Sequence, residues 1–302
     1  MYDRNLIYDV GMFNGDDTSY YLHRGYRVVA VEANPEMAEN GRRRFADAIR
    51  DGRLTIVEAA IAPEPGIVEM VVDERLPERN TLNPALQAHW LNTSTHTIQV
   101  QAIRFRDVLA QHGVPAYLKI DIETYDRYCL EDLDPADLPP YVSFESLDIH
   151  ELFVAHEKGY RDFKIIRQQD HHQAHFDIDQ ARAATYPAPQ RPGLASMIRS
   201  LALPARSRDR AAANMRTGEL PPHYQPHTDW QFQEGQSGPF AEDTEGDWRS
   251  YYQAVLTFLA YEMGLKNLDF PAGRWHDAHC RSPIGAANPI SSPHRRPRHA
   301  AA

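Results

Sequence analysis

The first 32 residues fix most of what this chain can fold into. Residues 6–10 (LIYDV) predict a strand, Gly11 and Gly15 bracket a turn, and residues 16–24 predict a helix. Residues 27–31 (RVVAV) are short and β-branched and predict a buried strand, with Glu32 at its tip. Glycine supplies the left-handed backbone or the close approach that such a turn needs. In an open α/β sheet, ligands bind at the carboxyl ends of the strands. A carboxylate roughly 20 residues after the glycine turn is placed to accept the hydroxyls of a ribose. The order strand, glycine turn, helix, strand, acid therefore predicts a nucleoside-binding crevice.

The alternation continues downstream. A helix opened by Pro35 runs to about Asp51, where the missing N–H of proline costs little. Strands are predicted at 54–57, 68–72, 98–103, 116–121, 141–145 and 163–166, with helices at 105–111 and 149–158. Strands alternating with helices predict a parallel α/β sheet covered on both faces. From about 168 to 247 the chain turns rich in Pro, His, Gln and Gly. A structureless loop of that length is unusual in a compact domain, so an insertion folding over the core is expected. Residues 248–264 read as an amphipathic helix stopped by Gly264, and 275–280 as a last, antiparallel edge strand. The expected division is a binding core over 1–170, an insertion or lid with these two elements over 171–280, and a disordered tail over 281–302.

Charge and cysteine usage narrow the classes. The net charge of −10 argues against nucleic acid as the main partner, and the basic run at 294–298 is too short to reverse it. Cys129 and Cys280 cannot make a disulfide framework or a four-cysteine zinc site. No signal-peptide run and no membrane-length apolar run is present, so a cytoplasmic protein without a membrane partner is expected. The clusters His171-His172 with His175, and His276 with His279 and Cys280, have ligand-like spacings but no fixed four-ligand set, and structural zinc is not expected.

The turn discriminates between nucleoside ligands. A dinucleotide site wants a second glycine where Phe13 stands, and Asp16 and Asp17 at the helix start would repel a pyrophosphate. A ligand with a cationic sulfonium and an amino group, S-adenosylmethionine, suits an acidic turn better. Asp9 would bond the turn or the amino group, and Glu32 the ribose. Asp16 reads first as a cap complementing the helix dipole.

Asp9-Val10-Gly11 with Gly15, then Val31-Glu32-Ala33-Asn34-Pro35, Ala60-Ile61-Ala62 with Gly66, and Leu118 to Glu123 follow in order. This pattern, over about residues 5–170, resembles the FkbM family of S-adenosylmethionine-dependent methyltransferases. The resemblance implies a Rossmann-like class I methyltransferase sheet of about seven strands, mostly parallel with the last antiparallel, carrying a long C-terminal insertion. It implies cofactor contacts from Asp9, Gly11, Asn14, Gly15, Asp17, Thr18, Glu32, Ala33, Ala60, Ile61 and Asp121. It also implies an acceptor hydroxyl on a sugar, glycan or secondary metabolite. The sequence departs from the family at Met12-Phe13, where Ala-Asn is usual, and at Thr124, where many members have glycine.

A sugar hydroxyl is a poor nucleophile, so its proton must be taken as the methyl arrives. Asp121, at the end of a buried strand, is the candidate base. It could instead share Mg²⁺ with Glu145 at the end of the next strand. Lys119 is expected to pair with a carboxylate, and His150 is an alternative base. His89, Trp90 and His96 could form a polar lid, and the stretch from Ser237 to Thr244 could touch the acceptor. The competing functions are an NAD(P)-dependent oxidoreductase and a non-catalytic nucleoside-binding module. Oligomeric state stays open, with a homodimer possible.

Overall fold

The computed structural model describes residues 1–87, 94–145, 148–174, 176, 229–232, 235–262 and 276–290. In chain order the first half forms β1 (Asp3–Val10), α1 (Asp16–His23), β2 (Arg27–Glu32), α2 (Pro35–Arg44), α3 (Ala46–Arg50) and β3 (Leu54–Glu58). Then come β4 (Ala60–Ile61), β5 (Gly66–Asp73), α4 (Pro84–Gln87), β6 (Thr95–Ile103), α5 (Phe105–His112), β7 (Pro115–Ile120) and α6 (Asp126–Glu131). The rest supplies β8 (Tyr141–Glu145), α7 (Ile149–Lys158), β9 (Asp162–Arg167), β10 (Gln173–Ala174), β11 (Arg249–Ser250), α8 (Tyr251–Glu262), β12 (His276–Arg281) and α9 (Pro283–Ala287).

Local chemistry explains the helix boundaries. Asn34 accepts from the Glu36 N–H, and Pro35 follows at the first helical position of α2. Asp148 and Glu151 form a capping box at the start of α7. The single helix expected from Pro35 is two, because Phe45 leaves helical geometry at φ −111° and ψ 24° between α2 and α3.

The main sheet has the order β10-β9-β12-β8-β7-β1-β2-β3, with β11 also paired to β9. β1, β2, β3, β7 and β8 are parallel neighbours, which brings Val10, Glu32, Ile120 and Glu145 to one edge. This is a Rossmann-like α/β fold. β12 is antiparallel as expected, yet it is not an edge strand. It runs between β8 and β9 and pairs with both, so its residues 276–280 are all buried. Trp275, expected to begin it, lies outside the described residues. β5 and β6 pair antiparallel and, with β4, make a separate three-stranded sheet beside the main one.

The C-terminal expectations need two corrections. Residues 281–290, assigned to a disordered tail, include α9 and the buried Ile290; residues 291–302 lie outside the described residues. The stretch from Ser237 to Thr244 is core rather than acceptor contact. Phe240 stacks on Tyr117 with centroids 4.7 Å apart and packs edge-on against Tyr21 and Tyr26. Phe232 joins the same cluster against Tyr20. Large aromatic area outweighs the polar composition around it. Ala254 and Phe258 of α8 pack into the cluster on the opposite face, as its amphipathic pattern predicts. Among the described residues no helix is long and apolar enough to cross a membrane.

Candidate functional site

At the carboxyl edge of the sheet lies a cavity of about 790 Å³. Its floor is the turn after β1. Gly11 has φ +87°, and a Cβ there would sit 1.8 Å from the Asp121 carbonyl oxygen. Only glycine lets the turn close onto the end of β7, where the Asp121 N–H donates to the Val10 carbonyl at 2.9 Å. Phe13 follows at φ 49°, an unusual conformation for a bulky residue.

Glu32 braces this turn. Its Oε2 accepts from the Phe13 N–H and its Oε1 from the Asn34 N–H, each at 2.8 Å. Burial raises its pKa against the pull of these two N–H groups. Glu32, Ala33, Ala60 and Ile61 all line the cavity, as do Gly11, Asn14, Asp17 and Asp121.

Lys119 is the electrostatic hub. Its Nζ donates to the Gly11 carbonyl at 2.9 Å and lies 3.2 Å from Asp9, 3.5 Å from Asp121 and 3.7 Å from Asp17. Burial works against the ammonium, but Asp9, Asp121 and Asp17 hold its pKa well above the usual lysine value. Asp17 also accepts from the Ser237 N–H at 3.2 Å, and burial lifts it to about 7. The carboxylate partner expected for Lys119 is thus three carboxylates.

Three expected cofactor residues stand back from the cavity. Asp9 is fully buried, accepts from the Thr18 hydroxyl at 2.6 Å and pairs with Lys119, so both Asp9 and Thr18 act beneath the turn. Gly15 at φ +83° precedes α1, where a side chain would meet the Phe45 ring. Asp16 pairs with Arg44 at 2.8 Å, and the Asn14 side-chain oxygen accepts from the Asp16 N–H at 2.9 Å; among the described residues no side chain caps α1, whose N-cap is Gly15.

Asp121 and Glu145, on adjacent strand ends, both line the cavity. The Asp121 side chain is 32 % exposed, whereas Glu145 is 7 % exposed and its Oε2 has no hydrogen-bond partner among the described residues. Burial, reinforced by Asp121 and Glu123, drives the Glu145 pKa well above the usual range. His150 does not join them. It is exposed on α7 and stacks with Phe153 at 6.3 Å, which corrects its expected place in the site. His96 pairs with Glu74 at the surface, and His89 and Trp90 lie outside the described residues. Among the described residues no group of three or more His, Cys, Asp or Glu is arranged to hold a metal, so the Mg²⁺ expectation finds no ligand set. His171 and His172 are taken up by the Gln236 carbonyl and Glu245.

Sequence reasoning missed Glu123 and the rim. Glu123 (φ 51°) and Thr124 (φ 77°) are both left-handed, and Thr124 is the position where the sequence departs from the glycine of the FkbM pattern. That departure was the signal. The Thr81 hydroxyl donates to the Glu123 carbonyl at 3.0 Å and Asn83 to Thr124 at 3.2 Å, tying the rim 77–83 to this loop. Burial raises Glu123 to about 8.

The family model for the methyltransferase FkbM domain matches residues 9–181. No curated protein matched the sequence. Among solved structures the chain is similar to the methyltransferase FkbM from Methylobacillus flagellatus KT, with 15% identity and TM-score 0.36 over 55% of this chain and 40% of that one. It is similar to precorrin-6y C5,15-methyltransferase from Geobacter metallireducens GS-15, with 14% identity and TM-score 0.31 over 56% and 71% of the two chains. A putative O-methyltransferase from Klebsiella pneumoniae gives 14% identity and TM-score 0.29 over 54% and 66%. The chain spans 40% of the length of the first of these.

Proposed function

The chain belongs to the FkbM methyltransferase family, and from that premise we propose that it moves a methyl group from S-adenosylmethionine to a hydroxyl oxygen of a small molecule or glycan. The observation that carries this reading is the acidic cavity at the strand ends. Glu32 lines it on β2, and Asp121 and Glu145 line it on the ends of β7 and β8.

The residues present suit this ligand. Each Glu32 oxygen has one backbone donor, which fixes its orientation and leaves a further lone pair for a ribose hydroxyl. Ala33, Ala60 and Ile61 give the base an apolar wall. Asp17, beside Lys119, offers a carboxylate to the amino group of the methionine portion. S-adenosylmethionine supplies an electrophilic methyl on a sulfonium. Asp121 takes the acceptor proton, one of its oxygens facing Lys119 at 3.5 Å and the other left for the hydroxyl. In the unliganded site Glu145 is kept protonated by burial, so Asp121 rather than Glu145 is the base. A nicotinamide dinucleotide would have to set its pyrophosphate among seven Asp and Glu side chains, which disfavours that alternative. Cys129 and Cys280, both free and buried, suit the cytoplasm, where we place the enzyme.

The test is product chemistry. The protein is incubated with deuteromethyl-labelled S-adenosylmethionine and a panel of hydroxylated sugars and secondary metabolites, and products are read by mass spectrometry. A deuteromethyl ether supports the reading. Label found only on nitrogen or carbon contradicts it.

A further inference from the structure

Charge in the cavity is far from balanced. Seven Asp and Glu side chains line it, against only Lys119 and Arg79 among the described residues. Lys119 is already shared by Asp9, Asp17 and Asp121. S-adenosylmethionine, with a sulfonium, an ammonium and a carboxylate, brings one net positive charge. The surplus is concentrated beyond Asp121, at Glu123 and Glu145, with the buried Asp126 and Asp277 behind them. Asp277 lies opposite Glu145 on β12 and accepts from Gln168 at 2.6 Å, while Oδ1 of Asp126 has no partner among the described residues.

Glu145 is the second observation. It is 93 % buried, it lines the cavity, and its Oε2 has no hydrogen-bond partner among the described residues. An orphaned buried carboxyl oxygen is costly unless something offsets it. From Glu32 to Glu145 along the edge there are three strand spacings, roughly 14 Å, which separates the ribose end from the acceptor end.

We infer that the acceptor carries a protonated amine beside its reacting hydroxyl, and that Glu145 and Glu123 hold that ammonium, an inference that rests on the methyl-transfer reading above. A neutral sugar brings no cation to offset ionisation of Glu145 and Glu123, and a phosphate or carboxylate acceptor is repelled by the acidic wall. The pairing also directs the reaction. Flanked by carboxylates, the amine stays protonated and has no lone pair for the methyl. The acceptor oxygen takes the methyl carbon as the sulfonium sulfur keeps the bonding pair, and the hydroxyl proton passes to Asp121. An amino alcohol or amino sugar is the substrate class.

Ethanolamine and ethylene glycol are the probes, because both are small enough that cavity shape cannot exclude them and they differ in one charged group. The full chain is labelled at glutamate side-chain carboxyl carbons and saturated with S-adenosylhomocysteine, and each probe is titrated by NMR. Glu145→Gln assigns the Glu145 signal; should that variant not fold, Glu123→Gln assigns the Glu123 signal for the same comparison. The inference predicts that ethanolamine moves the assigned signal toward the ionised carboxylate and lowers its titration midpoint by about one unit or more, while ethylene glycol leaves it unmoved. Equal responses to both probes, or to neither, with S-adenosylhomocysteine bound, overturn the amine inference and leave the methyltransferase reading intact. Failure of S-adenosylhomocysteine to bind removes both.

Discussion

Replacing Glu32 with glutamine tests the ribose assignment with little change in shape. In the native turn each carboxylate oxygen accepts one backbone N–H at 2.8 Å. Glutamine keeps one of these and sets its amide N–H₂ against the other donor, at a folding cost of about 1 kcal/mol. Burial of the native charge opposes that cost, since the Glu32 pKa is raised and a neutral group is relieved of desolvation. The net change in stability is therefore expected to be small. Binding behaves differently. Charge-assisted hydrogen bonds to the ribose hydroxyls contribute about 1.5–3 kcal/mol, a loss of roughly 10- to 140-fold in affinity. Calorimetric titration with S-adenosylhomocysteine reads the affinity, and thermal denaturation on the same sample reads the fold. A Glu32→Gln protein that melts like the native one and binds within twofold of it would refute the assignment.

Asp121→Asn should keep S-adenosylhomocysteine affinity while turnover on any accepted substrate falls by about a hundredfold or more, the scale of a lost general base; near-normal turnover removes Asp121 from the chemistry. Lys119→Met leaves Asp9, Asp17 and Asp121 without their shared cation and should destabilise the fold by about 3–5 kcal/mol in denaturant titrations, and a change below about 1 kcal/mol would deny Lys119 its hub role. The unliganded protein should lose stability as pH rises from about 6.5 to about 8.5. Folded-state values near 7 for Asp17 and Asp126 and near 8 for Glu123 stand above the unfolded ones, so the folded chain holds the extra protons in that window. The buried His276 and His279, lowered to about 4 and about 3, act oppositely, but their contribution is nearly complete once the unfolded imidazoles discharge near pH ~6.5. A melting temperature that climbs across the window would contradict the acidic-cluster account.

The first turn was legible because its signals are local. Gly11 must be glycine, Glu32 ends β2, and hydrophobic periodicity places both. For Asp9 local signals left two roles, a bond to the turn or to the methionine amino group. Its position before the glycine suggests ligand contact, but it points beneath the turn to Thr18 and Lys119, a long-range arrangement that no local pattern encodes. β12 could be seen as a strand, yet not its place between β8 and β9, since strand order depends on the path of the intervening chain. The aromatic anchors Phe232 and Phe240 were hidden by the Gln- and Gly-rich composition around them. Glu123 was visible within its motif, but its left-handed backbone and its half-buried place in the cavity wall with Glu145 came only from the packing of β7 against β8.

The central claim is that this cavity takes S-adenosylmethionine. Parallel calorimetric titrations of the full chain with S-adenosylhomocysteine and with NAD test it most directly. One S-adenosylhomocysteine per chain, with no heat from NAD, is the predicted result. Saturable NAD binding in the absence of S-adenosylhomocysteine binding would contradict it.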